Sequence, residues 1–178
     1  MRYVLELRTL CEYDRELYLK AGSCEPGCEN LYLDETYANL MWSIAYEEKG
    51  KRKNYIIECD GIFCGYCNVE EGNTPGIGIC LLTEFQNKGI GSRAIKLLWD
   101  KVADERQELQ YFVARVENDN IHSIKMFERL GGKKITTKES DALLTLRRLA
   151  QEDNTMNNVL QGMEDFHNRI IQYAVSFN

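Results

Sequence analysis

Leu81-Leu82-Thr83-Glu84-Phe85-Gln86-Asn87-Lys88-Gly89-Ile90-Gly91-Ser92 reads as an apolar strand, a polar turn and the start of a helix, with two glycines one residue apart at the junction. Glycines there leave little side-chain bulk over the main-chain N–H groups. Those groups open a helix, so they lack intrahelical acceptors and carry the positive end of the helix dipole. Such a turn can seat a phosphate or pyrophosphate. A second polar block, Asn118-Asp119-Asn120-Ile121-His122-Ser123, also opens a helix, and Glu117 precedes it at the end of a strand.

The glycine turn fits two patterns. Gly89-Ile90-Gly91-Ser92-Arg93-Ala94 matches the dinucleotide fingerprint G-x-G-x-x-A in form. Its context is wrong: Thr83 to Lys88 separate the strand from the first glycine, and a hairpin precedes it where alternating strands and helices belong. Gln86-Asn87-Lys88-Gly89-Ile90-Gly91 matches Gln/Arg-x-x-Gly-x-Gly/Ala better. Together with the run from Asn118 to Phe127-Glu128-Arg129-Leu130-Gly131-Gly132, it resembles the GCN5-related N-acetyltransferases (the GNAT superfamily). The Asn-x-x-Ser form and the Gly76-Ile77-Gly78-Ile79 strand are most similar to the branch that acetylates ribosomal-protein N-termini, the RimJ/RimL-like branch.

That resemblance implies acetyl-CoA as co-substrate and a primary amine, small molecule or protein N-terminus, as acceptor. It implies cofactor binding by Gln86, Asn87, Lys88, Gly89, Ile90, Gly91 and Ser92 through the turn, by the strand edge carrying Leu81 and Thr83, and by Asn120 and Ser123. Leu81 N–H is the expected oxyanion donor. The tyrosine that often protonates the departing thiolate in the family is here Phe127, which cannot donate, so Ser123, one helical turn earlier, is the substitute. A glutamate often found at the start of the glycine-turn strand is replaced by Gly76, which leaves as base either Glu117, the nearest carboxylate in sequence, or a base acting through water. These two departures motivate an alternative, a non-catalytic acyl-CoA-binding or sensing protein on the same fold. His122 is expected to face solvent or the next strand if Ser123 faces the cleft, because adjacent helical positions point in different directions. His167 is expected on the surface. Tyr37, Trp42 and Tyr46 are candidates for an acceptor pocket or for core, and Glu47 and Glu48 for attracting an amine or solvating a helix end.

The elements around these motifs follow from periodicity. Tyr3 to Arg8 alternates as a strand, and Thr9 can cap a helix to Lys20. A loop with Pro26 and Gly27 leads to a helix from Glu35 to Lys49, capped by Asp34 and ended by Gly50, with Leu40, Met41, Ile44 and Ala45 as its stripe. Asn54–Cys59 and Ile62–Val69 form a hairpin around Asp60-Gly61, and Ile77–Leu82 is a third strand. A helix then runs from Gly89 with Ile90, Ala94, Leu97, Leu98 and Val102 inward. Leu109–Val116 is a strand, and Ile121–Leu130 a helix stopped by Gly131-Gly132. Lys133–Thr137 and Ala142–Leu149 are expected as a closing hairpin, and Asn154–Val175 as one amphipathic helix. The expected fold is mixed α/β and GNAT-like, a mostly antiparallel sheet of about seven strands with helices on both faces and a C-terminal helix. Residues 1–149 would be the acetyltransferase domain, and 150–178 a helical extension packed on it or at a dimer interface, making a monomer or homodimer.

Composition limits the rest. The chain has 178 residues, of which 44% are hydrophobic and 28% charged, which suits one soluble domain. A net charge of −6 without a basic cluster argues against nucleic acid. No apolar run approaches the ~20 residues that span a bilayer, so no membrane is expected and a cytoplasmic location is. Seven cysteines include Cys24-x-x-x-Cys28 and Cys64-x-x-Cys67. The second pair lies in a strand, where residues three apart face opposite ways and chelate poorly. Buried reduced thiols are the expectation, with no metal.

Overall fold

A computed structural model describes residues 4–25, 28–47, 52–136, 141–152 and 157–177. Tyr3, Pro26, Gly27, Glu48, Lys49, Gly50, Thr137 and Asn154, named above, lie outside them. The strands are β1 (Leu5–Thr9), β2 (Arg52–Cys59), β3 (Ile62–Glu70), β4 (Gly76–Leu81), β5 (Phe112–Glu117), β6 (Lys133–Ile135) and β7 (Ile170–Val175). The helices are α1 (Arg15–Ser23), α2 (Glu35–Tyr46), α3 (Ile90–Glu105), α4 (Ile121–Arg129), α5 (Asp141–Glu152) and α6 (Asn157–Arg169).

The strands form one seven-stranded sheet in the order β1-β2-β3-β4-β5-β7-β6. All the pairings are antiparallel except β4 with β5. The β2–β3 hairpin closes on Asp60 and Gly61, both left-handed (φ 52° and 77°), as a two-residue turn of this hand requires. Alternation along the strands sends side chains to two cores. Cys67, Val69, Ile77, Phe112, Ala114 and Val116 pack with Ile90, Ala94, Ile95, Leu98 and Val102 of α3 on one face. Leu10, Ile56, Tyr66 and Leu82 pack with Tyr18 and Trp42 of α1 and α2 on the other.

Several sequence expectations change. Thr9 ends β1, and α1 starts after Asp14, whose carboxylate accepts Cys11 N–H at 2.9 Å and pairs with both ends of the Arg8 guanidinium at 2.6 and 2.7 Å. The Asp34 cap of α2 holds, accepting Tyr37 N–H at 2.9 Å. The buried positions of α2 are Ala38 and Trp42, while Leu40 is exposed.

The largest differences are at the C-terminal end. Residues 142–149 lie within helix α5, not a strand of a closing hairpin. The apolar series to Val175 is not one helix: α6 ends at Arg169, and Ile170–Val175 becomes β7. Residues 150–178 are therefore not a purely helical extension, because β7 inserts between β5 and β6. Ile170, Ile171, Tyr173 and Val175 are β-branched or aromatic, residues that fit a pleated surface. Tyr173 and Val175, two apart, point together into the core with Phe112 and Phe127.

Candidate active site

The pairing of β4 with β5 is short. Gly76 aligns with Val113 and Ile77 with Ala114, and there the ladder stops. Toward β3, Leu82 N–H donates to Cys64 carbonyl at 2.9 Å. Strand alternation therefore turns the N–H groups of Ile79 and Leu81 toward the opened gap. Leu81 carbonyl, on the same edge, accepts Gln86 Nε2 at 3.0 Å, so the Gln86 side chain ties the turn to the end of its strand.

The turn is built by left-handed residues. Asn87 (φ 58°) and Gly89 (φ 75°) flank Lys88, and α3 begins at Ile90. The first main-chain bond of α3 runs from Arg93 N–H to Gly89 carbonyl, and no side chain caps the helix. The N–H groups of Ile90, Gly91 and Ser92 are thus left for an outside acceptor. A Cβ on Gly91 would lie 2.9 Å from Met126 Sδ, aimed at Ile79 and Leu81, so glycine keeps this space between α3, α4 and β4 clear.

One cavity of about 310 Å³ joins these features. The turn lines it through Gln86, Asn87, Gly89, Gly91 and Ser92, and α4 through Asn120, His122, Ser123, Met126 and Arg129. Its floor is Ile79, Cys80 and Leu81, and its other end is Cys24 and Glu25, after α1. Leu81 packs with the α3 core and Cys80 with the α1–α2 core, so the cavity reaches both faces of the sheet beside the gap.

Individual side chains are held in distinct ways. Asn120 caps α4, its Oδ1 accepting Ser123 N–H at 3.1 Å. Ser123 is half-buried on the cavity wall. Four expected residues are not on the walls. Thr83 lies past β4 in a 3-10 turn, and Lys88 stands 5.8 Å over the Phe85 ring. Ile90 is buried in the core and can offer only its main chain. Glu117 ends β5 with the parity of Arg115, facing away from α3.

His122 is exposed, as expected, and it also lines the cavity, with its Nδ1 3.1 Å from Asn87 Oδ1. At the first turn of a helix a side chain can reach back past the helix end, which a facing rule for helix interiors misses. Phe127 is buried, with its ring 6.3 Å from that of Tyr173, whose hydroxyl donates to Glu128 at 3.2 Å. Trp42 and Tyr46 stack at 5.0 Å, Trp42 being core, and Tyr37 meets Tyr32 edge-on. Glu47 bonds to Ser43 at 2.7 Å on the α2 surface.

Glu25 and Cys80 are the cavity residues that the motifs missed. Cys80 thiol donates to Glu25 Oε2 at 3.7 Å. Burial, and after it the Glu25 charge, push the Cys80 thiol far up, so it is neutral. Cys59, Cys64 and Cys67 are buried, and burial pushes the Cys64 thiol up to about 12. All seven cysteines are free thiols. Among the described residues, no three His, Cys, Asp or Glu side chains gather as a metal site, and no helix is long and apolar enough to cross a membrane.

Residues 5–133 match the acetyltransferase (GNAT) domain family. The chain belongs to that family. The GNAT fold recurs in solved structures. A domain from Methanocaldococcus jannaschii DSM 2661 aligns over 99% of this chain and 100% of its own, with a TM-score of 0.66 and 21% identity. Spermidine N-acetyltransferase from Vibrio cholerae, solved with CoA and spermine, aligns over 75% of this chain and 83% of its own (TM-score 0.59, 15% identity). RimL, a ribosomal L7/L12 alpha-N-protein acetyltransferase solved with coenzyme A, aligns over 76% and 85% (TM-score 0.58, 22% identity). No curated protein matches the chain in sequence.

Proposed function

We propose that this GNAT protein transfers an acetyl group from acetyl-CoA to a primary amine, on a small molecule or a protein N-terminus, by direct attack with both substrates bound. The observation that carries this reading is the joining of the opened β4–β5 edge and the uncapped start of α3 within one cavity. The residues fit the co-substrate. The N–H groups of Ile90, Gly91 and Ser92, beside left-handed Gly89, would hold its pyrophosphate. The free N–H groups of Ile79 and Leu81 would pair with the pantetheine amides as an added strand does. Asn120 would contact the arm with its amide NH₂, since its oxygen is already engaged.

Acetyl-CoA supplies the activated acetyl group as a thioester. Leu81 N–H would donate to the thioester carbonyl oxygen as negative charge develops there. Ser123, on the α4 wall of the cavity, would pass a proton toward the sulfur through its hydroxyl. Confinement of the two substrates in one cleft supplies several kcal/mol, because the bimolecular entropy cost is met on binding. Cytoplasmic residence belongs to this reading and is supported by the free thiols.

The rival, an acyl-CoA binder without catalysis, draws on buried Phe127 and on Gly76. A test separates them. Acetyl-CoA is incubated with spermidine, a peptide with a free seryl N-terminus and a panel of other primary amines, and thiol release and acetylated product are both measured. Acetylated product on at least one amine is expected. Calorimetric binding of acetyl-CoA with no acetylated amine across the panel would favour the binder.

A further inference from the structure

We infer that Glu25, on the loop after α1, is the catalytic residue that takes the proton from the acceptor amine. This rests on the acetyl-transfer reading. The sheet face away from α3 carries three carboxylates near the opened edge, and their surroundings differ.

Glu70 is fully engaged. It accepts Gly76 N–H at 3.2 Å and pairs with Arg52 at 3.3 Å and Arg115 at 3.5 Å. Its carboxylate also fills the space that a Cβ on Gly76 would enter, beside the Arg115 guanidinium. Its oxygens are thus already taken by a main-chain N–H and two guanidinium groups. Glu117 faces the same side but does not line the cavity.

Glu25 does line it, at the end opposite the glycine turn and beside Cys80, the neighbour of Leu81 in β4. Among the described residues, the hydrogen bond its carboxylate accepts comes from the Cys80 thiol, a weak neutral donor. The groups around it are Cys24 at the end of α1, Cys28 and Glu29 on the loop, Tyr37 of α2, Cys80 of β4 and Glu117 of β5. None is a cation. The cavity's Arg129 and His122 stand on α4, where Arg129 Nε donates to the Lys125 carbonyl and His122 Nδ1 meets Asn87 Oδ1. Glu25 keeps solvent exposure as a residue, and desolvation of its carboxyl beside Cys80, opposed by the thiol bond and aided by the Glu117 charge, holds it above the ordinary carboxylate value. A base of raised affinity for protons, with no cation beside it among the described residues, suits an arriving ammonium.

The step balances. The ammonium gives one proton to a Glu25 oxygen, which frees the nitrogen lone pair. Nitrogen bonds to the acetyl carbon, the carbon–sulfur bond breaks, and the electron pair leaves on sulfur. The second nitrogen proton passes to the thiolate through Ser123 hydroxyl, and Glu25 returns its proton to solvent. Ammonium and thioester become amide, thiol and one released proton.

The test takes the amine that the panel above acetylates fastest. Its kcat/KM is measured against pH for the wild type, E25Q, E25D and E117Q, with CoA affinity by calorimetry for each. In the wild type the rate climbs with pH as a carboxyl ionises, over a range above the usual carboxylate value. E25Q is expected to lose about 100-fold in kcat/KM and that rising limb, with CoA affinity within about twofold. E25D is expected to recover part of the rate and to keep a rising limb. The assignment is overturned if E25Q keeps both rate and limb, or if E117Q removes the limb and E25Q does not. CoA binding by E25Q reports its fold, and a loss of that binding would also overturn the assignment, since it would give Glu25 a structural role. If the wild type acetylates no amine, the acetyl-transfer reading itself falls.

Discussion

The two ends of the cavity are specified by different means. At the glycine turn, the groups that would meet a ligand are main-chain N–H groups, and residues such as Gly89 and Gly91 matter for the conformation and space they allow. At the Glu25 end, side chains do the work, and they come together from far apart in sequence, Glu25 and Cys80 being 55 residues apart. A main-chain site can be written in one short segment and reused for one common co-substrate. A side-chain site can be rewritten loop by loop for each acceptor. That contrast explains how one fold serves different amines.

The largest expected effect breaks the turn. Gly91→Glu sends a carboxylate and its stem toward Met126, Ile79 and Leu81, in the cleft beside the seat for an anion. Met126 can move aside, so the fold survives, while CoA affinity falls at least about 100-fold, on the order of 3 kcal/mol. Calorimetry with CoA and a thermal melt read the two effects separately. An affinity within about threefold of wild type would detach the turn from cofactor binding.

Next comes the acceptor side's scaffold. Asp14, 4% exposed, ties the start of α1 to Arg8 of β1, and Arg8 also bonds Glu58 at 2.7 Å. Burial alone would raise its carboxyl, but the Arg8 guanidinium and Cys11 N–H outweigh it and hold Asp14 below the ordinary value. A lowered folded value adds stability above the unfolded value, near ~3.9, and that stability is lost as pH falls through the folded one. Asp14→Ala should cost about 2–3 kcal/mol at pH 7, with the difference from wild type shrinking as the pH drops below about 4. Denaturant melts across pH check this. Loss of acceptor turnover in Asp14→Ala with CoA affinity kept within about twofold would sharpen the contrast between the two ends.

A smaller effect is expected at Ser123→Ala. Asn120 still caps α4 through the unchanged N–H of residue 123. CoA affinity should stay within about threefold while kcat falls about tenfold, or ~1.4 kcal/mol in barrier. Steady-state kinetics on an acetylated amine would show it, and an unchanged kcat would remove Ser123 from the proton path.

What the sequence made legible follows the same division. The strand, turn and helix around Gly89 could be read because each conformation is tied to a residue type a few positions away. The first five strands were readable from periodicity, and the Asp60-Gly61 turn made β2 and β3 a hairpin. The edge of the sheet was not. Ile170–Val175 satisfies helical spacing with the residues before it, and only its partners Phe112–Glu117 and Lys133–Ile135 make it a strand. Residues 142–149 likewise lacked a hairpin partner, since β6 takes β7 instead. Glu25 sits outside any motif, and only the fold brings it beside Cys80.

The central claim, that the main chain at the start of α3 and along β4 receives acetyl-CoA, is tested most directly by amide chemical shifts during a CoA titration of isotope-labelled protein. The account predicts large, saturable changes at Leu81, Gly89, Ile90, Gly91 and Ser92, with the amides of α2 nearly still. Saturable binding that leaves those five amides unmoved, or no binding at all, would contradict it.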